Sequence, residues 1–449
     1  MIRAQPARGT GTYSVSAQDD VLGTAGKSHL PASGLALGSP RSRLGGRSKQ
    51  AASPQDAKQR TDDAVRQTDS DALLSRISAL RLGYLPSEPF TQEFLSASTE
   101  TATGSNHNSG PSRLGGPLRA ASSSFEGPAK RSPLINIGTY LRCTSIDSMV
   151  QDFLTHGNEQ KQIISIGAGS DSRYWRIKSD DRLAPHLSHY LEIDFEQNTQ
   201  LKIARIFKSP RLRSAIGNEK EVAGPASTAL PSSSSAMRSF RSDDYSLLAA
   251  DVRDLHPEAA NKIEPESLFK DLDPSRATLV LFECVLSYIE PRQADAVVQL
   301  LGERFPRITS VVYDMCIAGD QTLAAAEATT TRFGKVMLQN LEVRFQTLST
   351  RALKDSNRFR SLRSLSLPGA KAYPTISSQR DRMIRLWRSP KTEADEVEVS
   401  ASSLYQVWKA LDQQEKARLS RLEGLDEVEE LDMLLRHYCI LHVSRGQNG

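Results

Sequence analysis

This chain of 449 residues is short of several things. Aromatic residues make up 6% of it and hydrophobic residues 38%, little for so long a chain folded throughout. Either the whole chain packs loosely, or one well-packed domain is diluted by disordered sequence. Cysteine is scarce: Cys143, Cys284, Cys316 and Cys439 stand far apart. They lack metal-ligand spacing, and the chain is no small disulfide scaffold. They read as reduced thiols, which predicts a reducing, cytoplasmic setting. No apolar run approaches the ~18 residues of a membrane span. The N-terminus has no apolar stretch of the secretory kind. An excess of one charge is also missing: 57 Lys plus Arg oppose 53 Asp plus Glu, a net +4. A nucleic-acid binder would show a clustered basic face. Neither nucleic acid nor membrane is therefore expected as a partner, and a monomer is expected.

What is present is unevenly distributed. Residues 1–60 are rich in Ser, Gly, Ala, Pro, Gln and Arg, and cannot bury enough surface to offset their ordering entropy. They read as a disordered tail; their basic, acid-poor bias leaves a mitochondrial leader as the alternative. Within 61–95, Leu73, Leu74, Ile77, Leu80 and Tyr84 recur at helical spacing, which predicts a helix over 69–82 stopped by Gly83. Residues 96–132 return to Ser, Gly, Pro and Thr, a low-complexity insertion, and 214–242 read as a second one inside a domain spanning 133–449. Ile146, Met149, Val150, Phe153 and Leu154 mark a helix, with Thr144 and Asp147 spaced like its capping box. Strands are predicted at 163–166, 190–195, 247–251, 279–289 and 310–313. Pro291 suits the first turn of a helix carrying Ala294, Val297, Val298 and Leu301. Further helices are expected at 404–411 and 425–435, and an edge strand at 438–443. Strands alternating with helices predict an α/β fold: a doubly wound, mostly parallel sheet, preceded by an N-terminal helical segment and interrupted by disordered insertions.

Four strand ends carry chemistry. Ile163-Ile164-Ser165-Ile166 runs into Gly167-Ala168-Gly169. Glycines there let backbone pass close to a ligand, at the strand ends where doubly wound sheets bind. The third small residue of a dinucleotide fingerprint is absent, because Ser172 stands there. Asp194 ends the next strand, where an acid accepts hydrogen bonds from ribose hydroxyls. Asp251, beside the apolar Val252, suits an adenine amino group or, equally, a helix cap. Glu283 sits in an otherwise apolar strand, where a lone carboxylate is costly. It needs a cationic ligand such as a sulfonium carrying an amino group, or a salt bridge to a residue such as Arg142. His437, between a helix and a strand, reads as a cap or packing residue, and no metal site is expected.

In their order, Gly138-Thr139-Tyr140-Leu141-Arg142, the Ser165–Arg176 stretch, Tyr190-Leu191-Glu192-Ile193-Asp194, Asp251-Val252-Arg253-Asp254-Leu255, Glu283-Cys284-Val285-Leu286-Ser287-Tyr288, Arg332–Leu341 and Leu434–Cys439 resemble the leucine carboxyl methyltransferases. These are class I S-adenosylmethionine-dependent methyltransferases. The resemblance implies S-adenosyl-L-methionine as cofactor and a protein substrate, the C-terminal leucine of the protein phosphatase 2A catalytic subunit. It implies that Gly167 lies against the cofactor, Asp194 holds the ribose, Asp251 and Val252 contact adenine, Arg142 pairs with the methionyl carboxylate and Glu283 faces the methionyl end. Arg76 stands where the family's lid places a basic residue on the cofactor. Tyr313, Asn340 and Arg344, with Arg142, are the candidates for holding the acceptor tail. An α-carboxylate is already ionised at neutral pH, so no catalytic base is expected. The alternatives are a methyltransferase acting on another carboxylic acid or on modified tRNA, and a nicotinamide-dependent oxidoreductase.

Overall fold

The computed structural model describes residues 54–95, 130–223, 237–320, 330–351, 365–388 and 397–446. Among these, nine strands form one sheet: β1 (Lys161–Ile166), β2 (Leu187–Asp194), β3 (Glu219–Ala223), β4 (Ser239–Ser242), β5 (Tyr245–Ala249), β6 (Thr278–Glu283), β7 (Ile308–Met315), β8 (Glu398–Ser403) and β9 (Tyr438–Arg445). Their order is β3-β4-β5-β2-β1-β6-β7-β9-β8. The five strands from β5 to β7 pair in parallel, and both flanks are antiparallel. The order reverses between β1 and β6, which puts a switch point beside the Gly167 turn and Glu283.

The helices that position the site are α1 (Pro54–Arg81), α2 (Pro133–Thr155), α3 (Glu196–Lys208), α4 (Pro291–Arg304), α5 (Arg332–Arg351), α6 (Ile376–Trp387) and α7 (Val428–Arg436). Side chains alternate across the sheet. Leu279, Leu281, Val311 and Ile163 join one core with Leu73 and Ile77 of α1 and Ile137 and Leu141 of α2. Val280, Phe282, Val312 and Ile164 join the other, with Val297 and Leu301 of α4 and Trp387 of α6. Each fully buried aliphatic side chain contributes about 1.5–3 kcal/mol, so a one-residue slip of any central strand is strongly disfavoured. That fixes the heights at which the strand ends present their polar residues.

Several boundaries differ from expectation. The lid helix begins at Pro54 rather than residue 69. Its first half lacks an apolar period: Ala64 is buried, but the segment is held mainly by charge, with Arg253 2.8 Å from Asp62. Residues 54–60 therefore belong to the lid, while 1–53 lie outside the described residues. So do residues 96–129 of the first insertion. Of 214–242, only 224–236 lie outside them; the flanks supply β3 and β4 at the sheet edge. The proposed capping box at Thr144 is absent, because α2 starts at Pro133; Thr144 donates to the Tyr140 carbonyl at 2.7 Å, inside the helix. The strand expected over 279–289 ends at Glu283. Cys284 takes φ +57°, a left-handed conformation that turns the chain into a short 3-10 turn at 286–288. The last strand is no edge: β9 lies between β7 and β8, and the polar sequence of β8 hid it.

Candidate active site

The carboxyl ends of β1, β2, β5, β6 and β7 open into one cavity of about 320 Å³, roofed by α1. At its floor the chain leaves β1 through Gly167 (φ +64°) and Gly169 (φ +49°). Both positions require glycine. A Cβ on Gly167 would stand 2.8 Å from Val285 Cγ2, and one on Gly169 would stand 2.3 Å from Asp69 Oδ1. The two Ser170 donors, backbone N and Oγ, each reach Asp69 Oδ1 at 2.7 Å. Ser172, where a dinucleotide site wants a small residue, is buried and hydrogen-bonded to Thr91 at 2.9 Å.

Asp194, at the end of β2, holds this turn. Its Oδ2 accepts from Gly169 N at 2.7 Å; its Oδ1 accepts from Phe195 N at 2.6 Å and Asn198 Nδ2 at 2.9 Å. Burial pushes its carboxyl up to about 6, and nearby Asp69 adds to the rise against the pull of these donors. Asp251 follows β5 and caps the 3-10 turn 252–255, accepting from Arg253 N at 3.0 Å. The cap reading of Asp251 is thus realised, and its carboxylate still lines the cavity beside Val252. Arg253 bridges it to Asp62 of α1.

At the other end lies Glu283. Arg142 of α2 donates to it through Nε, Arg173 Nη2 is 3.4 Å away, and Arg76 Nη2 of α1 is 4.0 Å away. Burial alone would raise this carboxyl, but Arg142, then Arg173 and Arg76, hold it well below the usual carboxylate range. Arg173 gets there through a short helix, 173–178, whose Tyr174 and Trp175 are buried in the first core. Its guanidinium also pairs with Asp171 and Asp147, the latter shared with Arg176. Arg76 Nη1 is buried without a hydrogen-bond partner.

Beyond Glu283 the wall is aromatic. Tyr313 stacks on Tyr438 with centroids 5.6 Å apart, and the Arg142 guanidinium sits 5.1 Å from the Tyr313 ring centre. Burial drives the hydroxyls of Tyr313, Tyr288 and Tyr438 up, and pushes the Cys284 thiol up to about 12. All four residues line the cavity, and no histidine does among the described residues. His437 lies outside it, its Nδ1 2.7 Å from the Met433 carbonyl and its Nε2 2.6 Å from Thr331 Oγ1, a packing role as its sequence position suggests.

The structure therefore brings together Arg76, Arg142, Gly167, Asp194, Asp251, Val252, Glu283 and Tyr313. It does not bring in Asn340, which is exposed on α5; that helix turns Phe333, Met337 and Leu341 toward a third core instead. Arg344 lies on the same helix, and its side chain is outside the described residues. Sequence reasoning missed Asp69, Asp62, Arg253, Tyr288 and Tyr438 as cavity residues. Arg173 carried a signal, since its guanidinium is inside an aromatic stretch that must be buried. No described group of His, Cys, Asp and Glu could hold a metal ion.

Residues 64–302 match the family described as leucine carboxyl methyltransferase. Leucine carboxyl methyltransferase 1 of Mycosarcoma maydis is 45% identical, over 90% of this chain and 83% of its own length. The protein of the same name from Cryptococcus neoformans is 33% identical, over 87% of this chain and 95% of its own. The human tRNA wybutosine-synthesizing protein 4 is 31% identical over 71% of this chain but only 40% of its own length. The chain belongs to the leucine carboxyl methyltransferase family, S-adenosylmethionine-dependent methyltransferases of a carboxyl group.

Proposed function

We propose that this chain transfers a methyl group to the C-terminal leucine α-carboxylate of the protein phosphatase 2A catalytic subunit, forming a methyl ester. The observation that carries this reading is the end of the cavity beyond Glu283, where an arginine and three tyrosines stand with no histidine among the described residues. The tyrosine hydroxyls and the Cys284 thiol stay protonated at neutral pH. An acceptor that had to lose a proton would find, among the described residues there, only Glu283, which three arginines make a weak base. A carboxylate arrives already ionised.

The cavity's polar groups fit the cofactor. The buried, unpartnered Arg76 Nη1 lacks an acceptor, which a methionyl carboxylate supplies. Arg142 and Arg173 surround the same end, while Glu283 offers a carboxylate that could face a cationic amino group there. Asp194 would hold the ribose hydroxyls, Asp251 and Val252 the adenine, and Gly167 would let the backbone close on the ligand. When bound, S-adenosylmethionine supplies a methyl group activated by a sulfonium. The chain's own residues then orient and exclude water. Arg142 over the Tyr313 ring gives the acceptor carboxylate a counter-charge in a partly dry wall. The α1 roof removes the hydration that blunts a carboxylate nucleophile.

The test is methyl incorporation into purified phosphatase catalytic subunit with and without its terminal leucine. Base-labile label on the intact tail is expected. Label that persists without the leucine, or that goes instead to tRNA carrying a carboxylated side chain, would overturn the assignment.

A further inference from the structure

Among the charged residues with which α1 lines the cavity, Asp69 and Arg76 meet its two ends. Asp69 and Arg76 are two helical turns apart, about 10 Å along the axis. Asp69 meets the glycine turn, accepting 2.7 Å hydrogen bonds from Ser170 N and Ser170 Oγ at a single oxygen. That oxygen occupies the space a side chain on Gly169 would need. Arg76 meets the opposite end, 4.0 Å from Glu283, with its Nη1 buried and unpartnered. The apolar contacts of this stretch, Leu73 and Ile77 against the first core, attract without setting direction. Two ion pairs tie the helix elsewhere, Asp62 to Arg253 and Asp71 to Arg131, each at 2.8 Å. The paired bonds at Asp69 have fixed geometry and tie the helix to the glycine turn itself.

We propose that Asp69 is a positioning residue: by seating α1 in the Gly169–Ser170 turn, it holds Arg76 at the methionyl end of the cofactor site. The inference rests on reading Arg76 as a cofactor contact. It gives the two glycines separate reasons. Gly167 is kept bare for Val285, and Gly169 is kept bare for the lid.

The experiment is calorimetric titration of S-adenosylmethionine into the full chain: wild type, Asp69→Ala, Asp69→Asn, Arg76→Ala and the Asp69→Ala/Arg76→Ala double variant. Asp69→Ala should weaken binding about tenfold, the effect of one charge-assisted hydrogen bond. Asp69→Asn keeps an accepting oxygen and should restore most of the affinity. In the double variant Asp69→Ala should add little to Arg76→Ala, because both act through one contact. Ser170→Ala, which deletes only one of the two bonds and leaves the helix intact, should weaken binding about threefold. Wild-type affinity in Asp69→Ala and Ser170→Ala, or full additivity with Arg76→Ala, would overturn the inference while leaving the cofactor site standing. Normal Asp69 sensitivity with an indifferent Arg76→Ala would overturn it through Arg76. A wild type that binds no cofactor would sink the cofactor reading itself, and this inference with it.

Discussion

Asp194 and Glu283 make an instructive pair. Both are carboxylates at the ends of central parallel strands, both line one cavity, and both are largely removed from water. Yet burial lifts the Asp194 carboxyl to about 6, while Glu283 is held well below the usual range. Their company differs. Asp194 has neutral donors from Gly169, Phe195 and Asn198, and another acid, Asp69, close by. Glu283 faces three guanidiniums. One carboxylate accepts from neutral donors beside a second acid; the other sits at the centre of a cluster of arginines. Two strand-end acids in one cavity thus ionise differently because their neighbours differ.

The comparison can be broken from the Glu283 side first. Glu283→Ala leaves Arg142, Arg173 and Arg76 facing one another in a dry site. It should destabilise the fold by about 3–5 kcal/mol in urea denaturation and abolish cofactor binding. A variant of wild-type stability would show that the cluster does not depend on its acid. Next comes Asp194→Ala, which should weaken S-adenosylmethionine about a hundredfold in calorimetry, two charge-assisted hydrogen bonds being lost. Its effect on stability should be much smaller than that of Glu283→Ala.

A pH series sharpens the difference further. On the proposed ribose role, ligand hydroxyls favour ionised Asp194, so binding below about pH 6 would expel a proton. Cofactor affinity should fall by up to about tenfold per pH unit there, and Glu283 should not titrate in that window. In the cofactor-free protein the signs oppose. The raised pKa of Asp194 makes its ionised form a burden on the fold, absent below pH 3.8 and complete above about 6. The lowered pKa of Glu283 adds stability that is present above pH 4.5 and lost only in stronger acid. The smallest expected effect belongs to Asp251→Ala. That carboxylate already shares Arg253 with Asp62, and binding should weaken only about fivefold.

How far the sequence could be read follows the same divide. Gly167, Asp194, Asp251 and Glu283 were legible because each ends an apolar run, and an apolar run of five or six residues announces a buried strand. Arg142 was legible through the family resemblance, and the salt bridge to Glu283 was foreseeable from the cost of burying a lone carboxylate. Asp69 and Asp62 gave no such signal. They lie on a helix whose cavity face is polar, so no hydrophobic period marks it, and their partners are far away in sequence. β8 escaped for a related reason, since Glu398-Val399-Ser400-Ala401-Ser402-Ser403 is an edge strand with little to bury. Asn340 was chosen by proximity in sequence to a motif, and α5 turns it outward.

The most direct test of the account is the pH dependence of methyl transfer itself. On the proposed reaction, single-turnover transfer to a leucine-ended acceptor, with cofactor saturating, should be flat from about pH 6.5 to about pH 9, because the acceptor is already ionised and needs no base. A rate that climbs tenfold per pH unit within that window would reveal a proton that must first be removed, and would contradict the account.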